Sequence, residues 1–189
     1  MTQDQTPRDP RLLIVLDLDE ACWSSHEDPD RPGQHLIRPR AHLGTLLDTL
    51  LEDFQIGIWT AATPGWAAQG LGAVLTETGT DLHTHARFLW TRERCTWRYD
   101  ERTGERALCK PLSKVWRSTP FTKERTLAID DRAENYRCAY GNLIKVSPDT
   151  GDASDRELLL LSRYLRTLKD CGNVRQIEKR GWRDQAERL

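Results

Sequence analysis

The chain has 189 residues, 38% hydrophobic and 30% charged, with a formal net charge of −1. That length suits one domain, or one domain with a small insertion, and buries a core without disulfide or metal staples. The longest apolar runs are far too short to span a bilayer, and the polar first ten residues lack the apolar stretch of a signal peptide.

Five scattered cysteines (Cys22, Cys95, Cys109, Cys138 and Cys171) contain no C-x-x-C pair, which argues against a zinc knuckle or a disulfide framework. A reducing cytoplasm is the expected location, with no membrane partner. Arginine outnumbers lysine, but acids balance the bases, so no global basic field announces nucleic acid.

Residues 1–10 read as a disordered tail, and a single domain is expected over 11–182. Arg11 to Asp17 is an unbroken apolar run ending in acid, the pattern of a strand buried on both faces. Residues 22–40 read as loop, with a turn-rich stretch at 28–33. Leu43, Leu46, Leu47, Leu50, Leu51 and Phe54 mark one face of a helix over 41–54. A second buried strand follows over 55–60. Thr63 and Pro64 then start a helix as N-cap and first-turn residue, although Gly70 and Gly72 interrupt its apolar side.

A third strand covers 86–90. Residues 91–109 form a β-hairpin insertion that turns near Gly104, and a short helix is expected over 111–117. Strands follow at 125–130 and 142–146, with helices at 133–140 and 157–168 and a charged tail at 174–189. Alternating strands and helices predict an α/β fold, a parallel sheet with helices on both faces.

Four features fall at predicted strand ends, where open parallel sheets build their sites. Asp17 and Asp19 form a D-x-D pair, able to attack and to move a proton. Thr60 and the N–H of Ala61 can hold a phosphoryl oxygen. Lys110 supplies a compact cation before Pro111. Asp130 and Asp131, with Asn135 nearby, suit a hard metal such as Mg²⁺.

Each feature alone has an ordinary explanation as a cap, a turn or a surface charge; their shared order and placement give them meaning. Convergence of Asp17, Asp19, Asp130 and Asp131 would cost roughly 4 kcal/mol per pair at about 4 Å and an effective dielectric of about 20. One lysine cannot offset that, so a divalent cation is expected.

These four features resemble the signature motifs of the haloacid dehalogenase superfamily. Arg38-Pro39, Trp59-Thr60-Ala61, Arg94-Cys95, Lys110 to Ser113 and the stretch from Ile129 to Val146 are similar to the NLI-interacting-factor group. That group contains small phosphatases of the RNA polymerase II C-terminal domain. The resemblance implies a Rossmann-like core with no large cap and a Mg²⁺-dependent phosphatase working through an aspartyl-phosphate. It assigns Asp17 as nucleophile, Asp19 as general acid and base, and Thr60, Ala61 and Lys110 as phosphate contacts. Metal ligands would come from Asp17, the backbone carbonyl of Asp19, and Asp130 or Asp131. Ala21 and Cys22 stand where the family carries Thr and Leu, a departure in loop support that leaves the chemistry in place.

An open pocket implies a phosphorylated macromolecule as substrate. A phosphoserine or phosphothreonine protein follows from the resemblance. Arg92, Arg94, Arg98, Arg102 and Arg106, alternating with Trp90, Trp97 and Tyr99, also make a polynucleotide-end substrate an alternative, with Arg94 and Arg98 as candidate substrate contacts. A small-metabolite or nucleotide phosphatase and a non-catalytic binding module are the remaining readings. The segment 22–37 is expected to lie over the site. Oligomeric state is not encoded in any visible pattern.

Overall fold

The computed structural model describes residues 11–100 and 104–189. The expected tail over 1–10 and the tip of the hairpin, including Arg102, lie outside the described residues. In chain order the strands and helices are β1 (Leu13–Leu16), β2 (Trp23–Glu27), β3 (His35–Pro39), α1 (Leu43–Asp53), β4 (Gln55–Trp59), α2 (Pro64–Thr78), α3 (Leu82–His85), β5 (Leu89–Trp90), β6 (Thr96–Asp100), β7 (Glu105–Cys109), α4 (Ser113–Ser118), β8 (Thr126–Asp130), β9 (Leu143–Lys145), α5 (Glu157–Leu168) and α6 (Trp182–Glu187).

The central sheet has the order β5-β4-β1-β8-β9, and every pairing in it is parallel. β1 lies in the middle, with Leu13 opposite both Gln55 and Thr126. Its side chains divide between two cores, as the period of two requires. Leu12, Ile14 and Leu16 pack with leucines of α1 and α5, while Leu13 and Val15 pack with Val115 of α4 and Tyr136. Burial of β1, β4 and β8 along their whole length explains their unbroken apolar runs. The fold is the expected α/β sheet with helices on both faces. No helix among the described residues is long and apolar enough to cross a membrane.

The Thr63 hydroxyl accepts from the Trp66 N–H at the start of α2. Gly79, at φ 73°, closes that helix in the left-handed region, where glycine carries no Cβ penalty.

Four local expectations differ from the structure. Residues 23–39 are a hairpin, β2 against β3, and not loop. Its outer positions are polar or exposed, so no alternation of apolar residues betrays the strands. Residues 133–140 do not form an α-helix. They make tight three-residue turns, with Asn135 N–H donating to the Arg132 carbonyl and Ala139 N–H to the Tyr136 carbonyl. The short helix α3 has no sequence signature, because four residues show no periodicity. The charged stretch 174–189 is not a tail: α6 packs through buried Trp182 and Ala186, and the Trp182 indole donates to the Lys145 carbonyl at 3.0 Å. Its charges occupy the outer face and hide the few inward residues.

Candidate active site

The carboxyl ends of β1, β4 and β8 meet the end of β7. Asp17 follows β1, and its N–H donates to the Ile129 carbonyl at 3.0 Å. Thr60 follows β4, its N–H bound to the Trp90 carbonyl at 2.9 Å. Lys110 follows β7, and its N–H reaches the Asn135 carbonyl at 2.8 Å. Asp130 ends β8. Sheet-edge backbone bonds hold Asp17 and Thr60, and a bond to the turn after β8 brings Lys110 to the same edge.

Lys110 is fully buried between two carboxylates. Its Nζ lies 2.7 Å from Asp17 Oδ1 and 2.7 Å from Asp130 Oδ2. The contact to Asp130 is an aligned hydrogen bond. The contact to Asp17 is a salt bridge of the same length. Asp130 is saturated: Asn135 Nδ2 donates to both of its oxygens at 3.0 and 3.1 Å, and the Arg132 N–H donates to Oδ1 at 2.8 Å.

The electrostatics follow from burial. Desolvation, then the charge of Asp130, pushes the Asp17 carboxyl up to about 8, against the opposing pull of Lys110. Desolvation and Asp130 likewise raise Asp131 to about 6. Burial alone would lower Lys110, but Asp130 and Asp17 outweigh it and hold the ammonium above its ordinary value.

Ligand oxygens of Asp17, Asp130 and Asp131 all lie within 4.8 Å of one another. The Asp19 carboxylate does not join them, contrary to the expected four-acid convergence. Its Oδ1 accepts from the indole N–H of Trp23 at 3.0 Å and of Trp66 at 3.3 Å. The chain turns sharply after Asp19, through Glu20 at φ 61°, a left-handed conformation costly for a non-glycine residue. Where the family pattern departs, Cys22 Sγ donates to the Asp17 carbonyl at 3.2 Å and its N–H to the Leu18 carbonyl at 2.7 Å.

Above this floor lies an open cleft of about 740 Å³. Asp17, Asp19, Thr60, Ala61 and Asp131 line it, with Trp66, Arg92, Trp97, Arg106 and Arg132 on its walls. The Thr60 hydroxyl accepts from the Ala62 N–H at 3.0 Å and keeps its own proton to donate. Arg92 Nε donates to the Ala61 carbonyl at 2.8 Å, which braces that loop.

Arg94 and Arg98 are not on the cleft wall. The Arg94 guanidinium lies 5.2 Å from the Trp90 ring centre, and its carbonyl accepts from Lys114. Arg98 alternates with Trp97 along β6, so it faces the other side of the hairpin, beside Cys109 and Arg137. Among the described residues the cleft-facing arginines are Arg92, Arg106 and Arg132. The segment 22–37 also lines none of the cleft. β3 packs beside α2, with His35 edge-on to Trp66 at 6.1 Å. The indole clamp on Asp19 carried no sequence signal, because Trp66 reads simply as an apolar position of α2.

The model of NLI interacting factor-like phosphatases matches residues 12–175. The chain is 27% identical over 184 residues to ubiquitin-like domain-containing CTD phosphatase 1 of Xenopus tropicalis, covering 93% of this chain and 55% of that protein. The Homo sapiens protein of the same name is 26% identical over 184 residues with the same coverage. The chain thus spans about half the length of the curated relatives it matches.

Among solved structures, Fcp1, described as an essential RNA polymerase II CTD phosphatase, superposes with a TM-score of 0.63 at 18% identity, covering 88% of this chain and 69% of that one. Fission yeast Fcp1 bound to beryllium fluoride gives 0.54 at 18% identity, with 95% and 62% covered. At that identity these superpositions speak for the α/β fold alone. With most of its length matched by one family model, and with Asp17, Lys110 and Asp130 in contact beneath the cleft that Asp17 and Thr60 line, the chain belongs to the NLI interacting factor-like phosphatase family.

Proposed function

We propose that this chain hydrolyses a phosphomonoester on a phosphorylated protein through an aspartyl-phosphate on Asp17. The observation that carries the reading is Lys110 held 2.7 Å from both Asp17 and Asp130, buried beneath an open cleft that Asp17 and Asp131 line.

In the first step an Asp17 oxygen attacks phosphorus, and the bond to the substrate oxygen breaks. Asp19 gives its proton to that leaving oxygen. In the second step Asp19 takes a proton from water, the water oxygen attacks phosphorus, and the bond to Asp17 breaks. Both indoles engage Asp19 Oδ1, which leaves Oδ2 for the proton without breaking the clamp. The Thr60 hydroxyl and the Ala61 N–H face the phosphoryl oxygens, and Lys110 balances charge beside Asp17.

The donor set fits Mg²⁺. The buried carboxylates of Asp17, Asp130 and Asp131 are hard oxygen ligands within 4.8 Å of one another, facing a single lysine. Asp17, Asp131 and the backbone carbonyl of Asp19 would hold the ion. Asp130 is committed to Lys110, Asn135 and the Arg132 N–H, which favours Asp131 as the direct ligand. When bound, the ion would offset charge on the phosphoryl group and on the carboxylates around it.

Three arginines and two tryptophans on the cleft walls suit a phosphopeptide, and the CTD phosphatase names of the relatives support a protein substrate. No closing cap stands over the cleft among the described residues, which disfavours a small metabolite. The retained carboxylates disfavour a binding module without catalysis. A cytoplasmic site of action, and a folded unit running from 11 to the end of α6, belong to the same proposal.

The test is a parallel assay of phosphopeptides, 3′- and 5′-phosphorylated oligonucleotides and nucleotides, with Mg²⁺ or EDTA. Phosphopeptide turnover is expected only with metal, and Asp17→Asn is expected to lower it at least about 10³-fold. Wild-type rates in Asp17→Asn would reject the nucleophile, and turnover confined to oligonucleotide ends would transfer the reading to nucleic acid.

A further inference from the structure

A second concavity, of about 610 Å³, lies along the outer edge of the sheet beyond β9. Tyr140, Lys145, Arg175, Lys179, Arg180 and Arg183 line it, against one acid, Glu178. It shares a wall with the cleft, because Ala133 lines the groove while Arg132 and Asn135, on the same turn, line the cleft. The register strengthens the link. Lys145 pairs directly with Asp130 across β8 and β9, and adjacent strands lie about 4.8 Å apart. The groove therefore begins one strand away from the reacting centre.

Its cations are only partly compensated. Glu178 is spent on Arg180, and Arg183 is paired with Glu157. Arg175 bonds a neutral amide, Asn142 Oδ1, at 3.0 Å. Lys145 has no side-chain partner among the described residues, and its side chain is exposed. Lys179 is the most telling. It is 7% exposed, and its ammonium donates only to two carbonyls, of Val174 at 2.6 Å and Ile177 at 2.7 Å. A third donor remains in the groove floor. Desolvation lowers its pKa, as expected for a buried cation without a bound carboxylate. The groove edge strand cannot take up an extra strand easily, because the Lys145 carbonyl is already held by Trp182 and Arg183. Side-chain charge, not strand addition, is what this surface offers.

We propose that the groove beside β9 binds a second phosphate on the same substrate peptide, so that the enzyme selects chains phosphorylated at neighbouring positions. This rests on the phosphatase reading of the adjacent cleft. In an extended peptide at about 3.4 Å per residue, the second phosphate would lie about two to four residues from the one that reacts.

The test measures binding and turnover separately. Doubly and singly phosphorylated peptides of matched sequence are titrated by fluorescence anisotropy against wild type and against the double variant Lys145→Glu, Arg180→Glu. Both side chains point to solvent, and Arg180 is 92% exposed, so a wild-type melting curve is expected. The variant is expected to weaken the doubly phosphorylated peptide about tenfold, with a loss that shrinks at high salt, and the singly phosphorylated one less than about twofold. Hydrolysis of p-nitrophenyl phosphate is expected to be unchanged.

Equal affinity of wild type and variant for the doubly phosphorylated peptide would overturn the proposal. So would a single-stranded oligonucleotide of equal charge that binds more tightly than the peptide and is weakened by the same variant. If wild type hydrolyses no substrate, the phosphatase reading fails, and the anisotropy result still decides whether the groove holds the second phosphate.

Discussion

Two hairpins follow or precede active-site residues in the chain, each of two five-residue strands, but only β6–β7 lines the cleft, and the two are built on opposite principles. β2–β3 begins four residues after Asp19 with Trp23, which is fully buried and sends its indole N–H back to the Asp19 carboxylate. β6–β7 ends next to Lys110 and carries Trp97 and Tyr99, each 63% exposed. One hairpin is anchored under the catalytic floor, and the other stands as a wall. The same residue type, tryptophan near a strand start, is structural support in one and open contact surface in the other. Damage to the first should affect every substrate, and damage to the outer part of the second only large ones.

The root of the second hairpin is where that contrast can be broken hardest. Lys110→Met leaves Asp17 and Asp130 buried without their shared cation. Breaking a buried pair in this way costs about 3–5 kcal/mol, so denaturant unfolding should show a loss of that size together with lost turnover. A variant as stable as wild type would mean that Asp130, like Asp17, takes up a proton once Lys110 is gone.

Trp23→Ala comes next. Removing this buried ring should cost about 3–5 kcal/mol, read by urea unfolding, and should slow turnover of small and large substrates alike because Asp19 loses a donor. A related pair of substitutions sharpens the point. A Cβ on Gly70 would stand 2.2 Å from the Trp23 ring, whereas one on Gly72 would meet nothing within 4 Å. Gly70→Ala should therefore destabilise by about 1–3 kcal/mol through overpacking. Gly72→Ala should stabilise by roughly 0.5–1 kcal/mol, the ordinary gain at an exposed helix position. Parallel thermal melts compare them.

The floor itself makes a pH prediction. Asp17, at about 8, and Asp131, at about 6, bind protons more tightly in the folded metal-free protein than in the unfolded chain, where carboxyls titrate near 3.8. Between those values the native state holds more protons than the unfolded one, so metal-free stability should fall as pH rises from about 4 to 8. Mg²⁺ should oppose this, with a melting-temperature increase that grows with pH. A Mg²⁺ shift independent of pH would separate the ion from these acids.

The smallest effects belong to the exposed wall. Trp97→Ala should change stability by no more than about 0.5 kcal/mol, against the large loss at Trp23. Arg106→Ala should leave p-nitrophenyl phosphate hydrolysis within about twofold while weakening phosphopeptide use several-fold, an effect reduced by salt. Equal losses on both substrates would make the second hairpin a support like the first.

The strands that carry Asp17, Thr60 and Asp130 were legible in the sequence because a strand buried on both faces must be apolar without interruption. The motif residues were legible because they follow those runs directly. The β2–β3 hairpin was not, since its paired positions are largely polar, and neither was α6, whose inward residues are few among charges. Which hairpin arginines reach the cleft depends on the register that sets Trp97 opposite Leu108 and turns Arg98 away. The clamp on Asp19 joins residues 47 positions apart, and Gly70 differs from Gly72 only by the ring that arrives from another element. Composition and spacing determine what a segment must bury, because solvation acts on each side chain where it stands. Which polar group meets which is decided by packing between distant segments, and only the assembled sheet and its two hairpins contain that information.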